Sequence, residues 1–260
     1  MSGEHVDGDL QVTQDGAVLT VLFSRPEQRN AMTFAMYEGL HEACERADAD
    51  DAVRVLVLRG AGRAFVAGTD ISQFLEFTGG DDGVAYEQGI ERVVTRLEDV
   101  TVPTVAAVDG ACVGGGLALA AACDLRLATP SSRFGVPVAR TLGNCLSVNS
   151  VSLLVQHLGP ARTLDLLLRA RLLGADEAAA AGFVTTCPDG GLDAALEELT
   201  ATLVGHAPLS MWAAKQAVVR LRRAGLPDDT DLVRTVYGSA DFRAGVAAFV
   251  ARERVSWTGR

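Results

Sequence analysis

The sequence is poor in cysteine, and its few cysteines form no recognisable pattern. The 260 residues include five of them, at Cys44, Cys112, Cys123, Cys145 and Cys187. An odd number without metal-type spacing argues against a disulfide framework and against a zinc site. We therefore expect a reduced, intracellular protein without a bound metal. A lone cysteine such as Cys145 is far more often inert packing than a nucleophile.

Long hydrophobic runs and an excess of basic residues are also missing. No uninterrupted apolar stretch reaches the ~20 residues that a helix needs to span a bilayer. The acidic first seven residues lack the apolar core of a signal peptide. With 23 Lys and Arg against 33 Asp and Glu, the formal charge is −10. This balance argues against unassisted binding to nucleic acid or to an acidic membrane, so we expect a cytoplasmic protein with neither as a partner.

What the sequence does contain is enough apolar material for a large core, with a hydrophobic share of 48%. Strand-like and helix-like segments alternate up to about residue 128, which predicts an α/β fold with a mostly parallel sheet. From residue 150 onward the segments are almost all helical. We divide the chain into an α/β core over 1–190 and a helical region over 191–260, whose apolar composition favours an oligomer.

Several local signals make testable predictions. Thr33 is a plausible N-cap for an amphipathic helix that runs to about residue 49, and Asp70 more plausibly caps a short helix than acts in catalysis. Residues 79–83, rich in glycine and aspartate, predict a surface break. Residues 134–137 predict a turn, and residues 140–149 a polar loop.

The most informative stretch follows a predicted buried strand over 103–108. Residues 109–120 read DGACVGGGLALA, a turn with four glycines and then a good helix-forming segment. Glycines let another molecule approach the backbone, and the first turn of a helix leaves N–H groups unpaired at the positive end of its dipole. The pattern indicates either a site for developing negative charge or a tight packing turn. It matches neither a dinucleotide fingerprint nor a P-loop.

Motifs along the whole chain resemble the crotonase superfamily, which has the enoyl-CoA hydratase/isomerase fold. RPEQRNAM over 25–32 is similar to its early turn, GAGRAFVAGTDI over 60–71 to its first oxyanion loop, and DGACVGGG over 109–116 to its second. FRAGVAAF over 242–249 is similar to its last helix, although Ala244 stands where a glutamate is commoner. The resemblance implies a crotonase-like ββα-superhelix core with a C-terminal helical trimerisation region.

The resemblance also implies a site. Its members bind acyl-CoA, so coenzyme A thioester would be the substrate, with no other cofactor. The oxyanion hole would consist of the backbone N–H groups of Thr69 and Gly115, which hold the thioester oxygen as enolate charge develops. The positions suggested for binding coenzyme A are Arg25, Arg29, Ala67, Asp70, Ile71 and Phe242. Solvated arginines and a core phenylalanine are the simpler alternatives. Members usually form trimers, which implies a homotrimer or a dimer of trimers.

The sequence departs from the family where hydratases carry two glutamates. The matching positions are Ala118 and Val138, and neither side chain can transfer a proton. This argues against ordinary hydration and against one-glutamate isomerisation. In the segment after Val138, Arg140 is a candidate for binding a substrate carboxylate, and Asn144 or Ser147 for orienting water or a hydroxyl. A solvated arginine and polar residues that satisfy nearby backbone are the simpler interpretations.

Three functions stay open at this point. The first is an acyl-CoA lyase or isomerase that uses substitutes for the two glutamates. The second is a decarboxylase or thioester hydrolase, and the third is a non-catalytic acyl-CoA binder. The histidines fall in no triad or metal spacing, so we expect them to be structural or solvated; they are His5, His41, His157 and His206.

Overall fold

The computed structural model describes residues 5–226, 230–255 and 257. In this part of the chain the strands are β1 (His5–Asp7), β2 (Leu10–Asp15), β3 (Val18–Phe23), β4 (Val55–Gly60), β5 (Ala64–Val66), β6 (Thr104–Val108), β7 (Ala111–Val113), β8 (Leu125–Ala128), β9 (Arg133–Gly135), β10 (Leu172–Gly174) and β11 (Thr185–Thr186). The α-helices are α1 (Phe34–Ala49), α2 (Gly80–Asp99), α3 (Gly115–Ala122), α4 (Val138–Thr141), α5 (Val148–Leu168), α6 (Ala175–Ala180), α7 (Leu192–Gly205), α8 (Pro208–Arg223), α9 (Thr230–Tyr237) and α10 (Ala240–Ala251). Two 3-10 helices span Pro26–Gln28 and Ile71–Glu76.

The strands form two sheets, and most of their pairing is parallel. Within the described residues, the larger sheet has seven strands in the order β1-β2-β3-β4-β6-β8-β11, and the smaller has four in the order β10-β9-β7-β5. The antiparallel pairs are β1–β2, β2–β3 and β9–β10. Strand β6 is buried at every position, as expected for a parallel strand that is covered on both faces. The predicted α/β fold with a mostly parallel sheet is confirmed.

The Gly-rich turn opens a helix, as predicted. β6 ends at Val108, the short strand β7 follows, and α3 begins at Gly115. A Cβ atom at Gly116 would lie 2.2 Å from the carbonyl oxygen of Val66, the last residue of β5. Because no side chain fits in that space, glycine is required for the start of α3 to rest against the end of β5. This contact brings the two Gly-containing loops together.

Two predicted helix caps are confirmed. The Thr33 side chain accepts a hydrogen bond of 3.2 Å from a backbone N–H in the first turn of α1. Asp70 accepts one from the N–H of Ser72 and caps the 3-10 helix after it. The mainly helical character after residue 150 is also confirmed. The helices are interrupted by the short strands β10 and β11, and α5 bends at Gly159, where φ is 76°.

The predicted surface break at residues 79–83 is wrong, because these residues lead into α2. The Asp82 carboxylate accepts hydrogen bonds of 2.6 and 3.0 Å from the N–H groups of residues 78–79 and caps the helix. Gly83 then packs against Tyr237 of α9, where an added Cβ atom would lie 2.1 Å from the Tyr237 Cβ atom. The glycine serves close contact between two helices rather than flexibility.

The predicted turn at residues 134–137 is wrong for its first two residues, and the predicted loop at 140–149 is confirmed only over 142–147, between α4 and α5. Residues 134–137 begin as a strand, since β9 pairs with β7 on one side and with β10 on the other. Residues 140–149 contain the end of α4 and the beginning of α5. Ser147 caps α5, because its hydroxyl accepts a hydrogen bond of 3.2 Å from the N–H of Ser150. Both segments contribute residues to the cavity described below.

The helices after residue 191 pack on two parts of the core. Leu203 of α7 packs with Val55, Val57 and Val105 on the larger sheet. Helices α9 and α10 pack near α2, where Tyr237 is buried. The domain boundary at residue 190 and a role in trimerisation stay predictions. No helix in the described residues combines the length and the apolar character needed to cross a membrane.

Candidate active site

A cavity of about 140 Å³ lies where the two Gly-containing loops meet α2, α4 and α10. Thr69 and Gly115 both line it, as do Ala118 and Val138, the positions where the family's glutamates were expected. A larger groove of about 400 Å³ lies between α1 and α2, and Gly115 is not among its lining residues. The smaller cavity is therefore the place where the resemblance and the fold coincide.

Two backbone N–H groups at this cavity have no acceptor. Met32 donates its N–H to the oxygen of Gly68 at 2.9 Å, and its own oxygen accepts from the N–H of Asp70 at 2.8 Å. Met32 therefore bonds to the residues on either side of Thr69 and leaves the Thr69 N–H without a bond to it. Helix α3 begins at Gly115, whose own N–H has no residue of the helix before it to bond. Within the described residues, neither the Thr69 nor the Gly115 N–H donates a hydrogen bond to the chain.

Glycine is what allows the loops that carry these amides to touch. A Cβ atom at Gly114 would lie 3.5 Å from the Cα atom of Gly68, and Gly114 itself has φ of 58°. Gly68 has φ of 104°, also a conformation that L side chains rarely adopt. A Cβ atom at Gly115 would lie 2.4 Å from the Tyr37 hydroxyl oxygen. The positive φ angles favour glycine at residues 68 and 114, and the Tyr37 hydroxyl leaves little room for a side chain at residue 115.

The Thr69 hydroxyl is held by two tyrosines. Its Oγ1 lies 2.9 Å from the hydroxyl oxygen of Tyr37 and 2.7 Å from that of Tyr86. Burial raises the pKa of Tyr37 to about 12 and that of Tyr86 well above its usual value, so both phenols are neutral at physiological pH. The Thr69 hydroxyl thus links the loop after β5 to α1 and α2.

A carboxylate that the sequence analysis missed also lines the cavity. Glu87 of α2 is only 5% exposed. Its Oε1 accepts a hydrogen bond of 2.6 Å from the Tyr237 hydroxyl, and its Oε2 accepts one of 3.0 Å from the N–H of Ser147. The signal was present, because Glu87 stands on the buried stripe of α2 between Gly83 and Ile90. A glutamate on the apolar face of a helix is rarely buried without a specific role.

Of the three polar candidates in the segment after Val138, the structure brings one to the cavity. Asn144 lines it, and its Nδ2 donates to the Tyr237 hydroxyl at 3.1 Å. The Oδ1 atom of Asn144 is buried and has no hydrogen-bond partner in the described chain. Arg140 is exposed on α4 and is not among the residues that line the cavity. Ser147 is buried and caps α5 rather than facing the cavity.

The residues suggested for coenzyme A are only partly brought together. Ala67 and Ile71 line the cavity. Arg25 forms ion pairs of 3.0 Å with Asp70 and 3.2 Å with Asp9. Burial alone would raise the pKa of Asp70, but hydrogen bonds from Ser72 and Arg25 hold it below its usual value.

The other two coenzyme A candidates lie outside the cavity. Arg29 is exposed at the end of the 3-10 helix Pro26–Gln28. Phe242 is 1% exposed and packs in an aromatic cluster with Tyr237 and Phe74. From the same helix, Phe249 lines the cavity instead. Phe242, which the motif suggested, and Phe249, which lines the cavity, are two turns of α10 apart. Among the described residues, no group of three or more His, Cys, Asp and Glu side chains is placed to hold a metal ion.

Comparison with known proteins identifies the family of this chain. A profile of the family described as enoyl-CoA hydratase/isomerase matches residues 13–260. The chain therefore belongs to the enoyl-CoA hydratase/isomerase family, the crotonase superfamily, and has its fold. It is 30% identical to the 2,3-dehydroadipyl-CoA hydratase of Escherichia coli K12, over 97% of this chain and 99% of that protein.

Other relatives carry different activities in their names. The chain is 31% identical to the 1,2-epoxyphenylacetyl-CoA isomerase of the same bacterium, over 94% of this chain and 95% of that protein. A crystal structure of an enoyl-CoA hydratase/carnithine racemase from Magnetospirillum magneticum matches with a TM-score of 0.80 and 32% identity, covering 99% of this chain and 97% of that one. Family membership supports an acyl-CoA enzyme and does not select between hydration and isomerisation.

Proposed function

We propose that this protein binds an acyl-CoA thioester and stabilises its enolate between the N–H groups of Thr69 and Gly115. The observation that carries the proposal is the pair of N–H groups that have no acceptor in the described chain and share one cavity. Two donors that are fixed before the substrate arrives can accept the charge that moves onto the thioester oxygen. The coenzyme A thioester is the only small molecule that this chemistry requires.

The cavity favours a short acyl group. Its volume of about 140 Å³ is close to the roughly 150 Å³ that holds one benzene molecule in an engineered apolar cavity. Ile71, Phe74 and Ile90 contribute apolar surface to it. We therefore propose acyl chains of about four carbon atoms, by comparison with that cavity.

Proton transfer at the acyl chain is the reaction type that we propose, rather than hydration by two glutamates. Ala118 and Val138 both line the cavity, so the missing carboxylates leave apolar wall where a water molecule would need to be activated. An enolate held by two amides supports removal and return of a proton at the carbon next to the thioester. This chemistry belongs to the isomerase side of the family.

The other functions lack a matching group. A decarboxylase would need a cation for the substrate carboxylate, and no lysine or arginine is among the described residues lining the cavity. Arg140 is exposed away from it. At the positions where the family's hydratases carry the glutamates that activate water, this cavity has Ala118 and Val138, which cannot do so for a thioester hydrolase. A non-catalytic binder is the remaining alternative, and the experiment below tests it.

The rest of coenzyme A would leave the cavity past Ala67 and Ile71, which stand at its wall. We propose that Arg29, which is exposed, and Arg25 lie near the phosphates. Arg25 would keep its pair with Asp70 and give up the one with Asp9, whose side chain is 54% exposed. We also propose a cytoplasmic homotrimer or dimer of trimers.

The test is a pair of variants at Thr69. Thr69→Pro removes the proposed N–H donor, and since that N–H makes no bond within the described chain, no fold contact through it is lost. Thr69→Val removes the hydroxyl and keeps the N–H. The readout is exchange of the α-protons of butyryl-CoA with D2O, followed by mass spectrometry, and its binding by calorimetry. We expect Thr69→Pro to lose roughly 10²–10³-fold in exchange rate, the usual value of one such donor.

The control separates the amide from the side chain. Thr69→Val should exchange within about tenfold of the wild type, because it keeps the donor that stabilises the enolate. Equal rates for Thr69→Pro and the wild type would exclude this amide from the reaction. Butyryl-CoA that binds to the wild type without any exchange would instead establish the non-catalytic binder.

A further inference from the structure

We infer that Glu87 is the catalytic proton-transfer residue of this cavity. From its position on α2 it would transfer the proton in place of the two glutamates that are absent at Ala118 and Val138. The inference rests on the proposed enolate function, because it needs an acyl group in the cavity. It adds a residue that lies in neither oxyanion loop and in none of the motifs that carry the family resemblance.

Its position is the first argument. Glu87 lines the cavity together with Thr69 and Gly115. Among the described lining residues it is the one carboxylate, and none of the others is a lysine, an arginine or a histidine. Tyr86 is the other ionisable side chain there, and burial keeps it neutral. An acyl group in this cavity therefore has Glu87 as its one partner for proton exchange near neutral pH.

The direction of the hydrogen bonds is the second argument. Asn144 donates to the Tyr237 hydroxyl oxygen at 3.1 Å, and that hydroxyl donates its own hydrogen to Glu87 at 2.6 Å. The backbone N–H of Ser147 donates to the other carboxylate oxygen at 3.0 Å. The Tyr237 hydroxyl and the Ser147 N–H thus both donate to Glu87, so each of its carboxyl oxygens acts as an acceptor. The bonds also fix its orientation, as a base must be fixed relative to the proton it takes.

An unsatisfied polar atom in the same wall is the third argument. The Oδ1 atom of Asn144 is buried and has no partner in the described chain, although Asn144 lines the cavity. A buried acceptor without a hydrogen bond costs about 1–3 kcal/mol. Only an occupant with a hydrogen-bond donor would remove that cost, and the butyryl chain has none, so the atom shows the polarity of this part of the lining. Among the lining side chains, Glu87 and Asn144 are thus polar, whereas Ala118 and Val138 are apolar.

The proposed step balances with one carboxylate. The α C–H bond breaks, its proton bonds to a carboxylate oxygen of Glu87, and the electron pair moves to the thioester oxygen held by Thr69 and Gly115. When the Glu87 carboxylic acid swaps its proton with solvent before a hydrogen is returned to the α-carbon, the α-position exchanges; when it does not, the starting thioester is regenerated. When the substrate is a 3-enoyl thioester, return to the γ-carbon moves the double bond into conjugation. No water is consumed, so a second acid–base residue is not needed.

The alternative is that Glu87 is structural and only joins α2 to α5 and α9 through Ser147 and Tyr237. The two roles differ in what Glu87→Gln changes. Glutamine keeps the shape and an acceptor oxygen but cannot take a proton. A catalytic Glu87 predicts that exchange of butyryl-CoA α-protons in D2O falls about 10²–10⁴-fold, the usual contribution of a general base, while binding of butyryl-CoA stays within a few-fold. If Glu87 is only structural, Glu87→Gln lowers the free energy of unfolding, and the exchange rate per folded molecule stays at the wild-type value.

The experiment compares wild type, Glu87→Gln and Glu91→Gln. Glu91 is a matched control, because it lies one turn further along α2 and is not among the residues that line the cavity. Exchange is measured by mass spectrometry, binding by calorimetry, and the folded fraction by circular dichroism. We expect exchange in the wild type and in Glu91→Gln, and loss of exchange with retained binding in Glu87→Gln.

A second variant covers poor folding of the first. Glu87→Asp keeps the carboxylate and withdraws it by one methylene, so we expect folded protein with exchange reduced at least tenfold and unchanged binding. Exchange at the wild-type rate in either folded variant overturns the inference for Glu87 and leaves the enolate function standing. Butyryl-CoA that binds without exchange in the wild type overturns both. Loss in Glu87→Gln together with no effect of Thr69→Pro would retain Glu87 and reject the proposed oxyanion amide.

Discussion

Buried side chains govern how single residues of this protein respond to pH. His157 of α5 has its Nε2 atom 2.9 Å from the oxygen of Ala121, and its ring centroid lies 5.6 Å from that of Phe183. Burial, and secondarily the charge of Arg126, lowers the pKa of His157 to about 4. Arg126 itself is buried and lies 5.0 Å from the centre of the Phe183 ring. The histidine is therefore neutral in the folded protein over most of the acidic range.

This predicts a loss of stability in mild acid. The unfolded chain takes up a proton at His157 near pH 6.5, whereas the folded chain resists it down to about pH 4. Stability from this group is thus complete above pH 6.5 and is lost as the pH falls through that window. We expect the free energy of unfolding to fall by about 2 kcal/mol between pH 7 and pH 5 because of this histidine.

The measurement is urea unfolding of wild type and His157→Gln at both pH values. Glutamine retains an N–H that can donate to Ala121, and it does not titrate. As the pH is lowered, the free energy of unfolding should therefore fall more in the wild type than in His157→Gln. A difference that stays constant from pH 7 to pH 5 would mean that His157 is protonated in the folded state as readily as in the unfolded one.

Among the elements, α2 carries both a tightly packed glycine and the proposed proton-transfer residue on one face. Gly83, Glu87 and Ile90 follow one another at helical spacing on its buried side. Gly83 leaves no room for a side chain beside Tyr237, which is the residue that donates to Glu87. On the exposed side, a Cβ atom at Gly89 would meet nothing within 4 Å. The same helix therefore contains one glycine that its packing requires and one that it does not.

Alanine at these two positions should have opposite effects. Gly83→Ala forces α9 away from α2, and overpacking of this kind costs about 1–3 kcal/mol of unfolding free energy. Gly89→Ala lies in an open helix interior and should gain about 0.5–1 kcal/mol. Thermal and urea unfolding of both variants give the comparison. Similar behaviour of the two would show that α9 yields freely to a side chain at residue 83.

The same helix illustrates which parts of the molecule the sequence could predict. The cap at Thr33 and the helix start at Gly115 were predictable because each depends on neighbours within a few residues. The start of α2 was misjudged, since Gly83 is required by Tyr237, more than 150 residues away in the chain. Glu87 was missed for the same reason, because its partners, Tyr237 and Ser147, come from distant elements. Contacts between distant residues leave little local pattern.

For the whole molecule, the clearest unexplained feature is apolar surface on the C-terminal helices. Several large apolar side chains there are more than half exposed; they are Leu209, Val218, Leu221, Leu232 and Val250. Exposed apolar patches of this kind are typical of surfaces that meet another protein. The helices of one subunit would cover those of another in the proposed trimer.

The prediction for the assembly follows directly. Sedimentation equilibrium should give three or six times the monomer mass of 27.2 kDa at micromolar concentration. Leu221→Glu places a charge on a side chain that is 79% exposed, so it should weaken assembly and leave the secondary structure of the subunit unchanged. A wild-type protein that sediments as a monomer would contradict the proposed trimer.

The last helix, α10, completes the lining of the cavity. Phe249 of α10 lines the cavity. A Cβ atom added at Gly245 would lie 2.3 Å from the Leu142 oxygen, so α10 needs a glycine there to pack this closely. The amides at residues 69 and 115 are synthesised long before this helix. During translation the chain would thus carry the two proposed enolate-binding amides early and complete the cavity lining only when α10 docks.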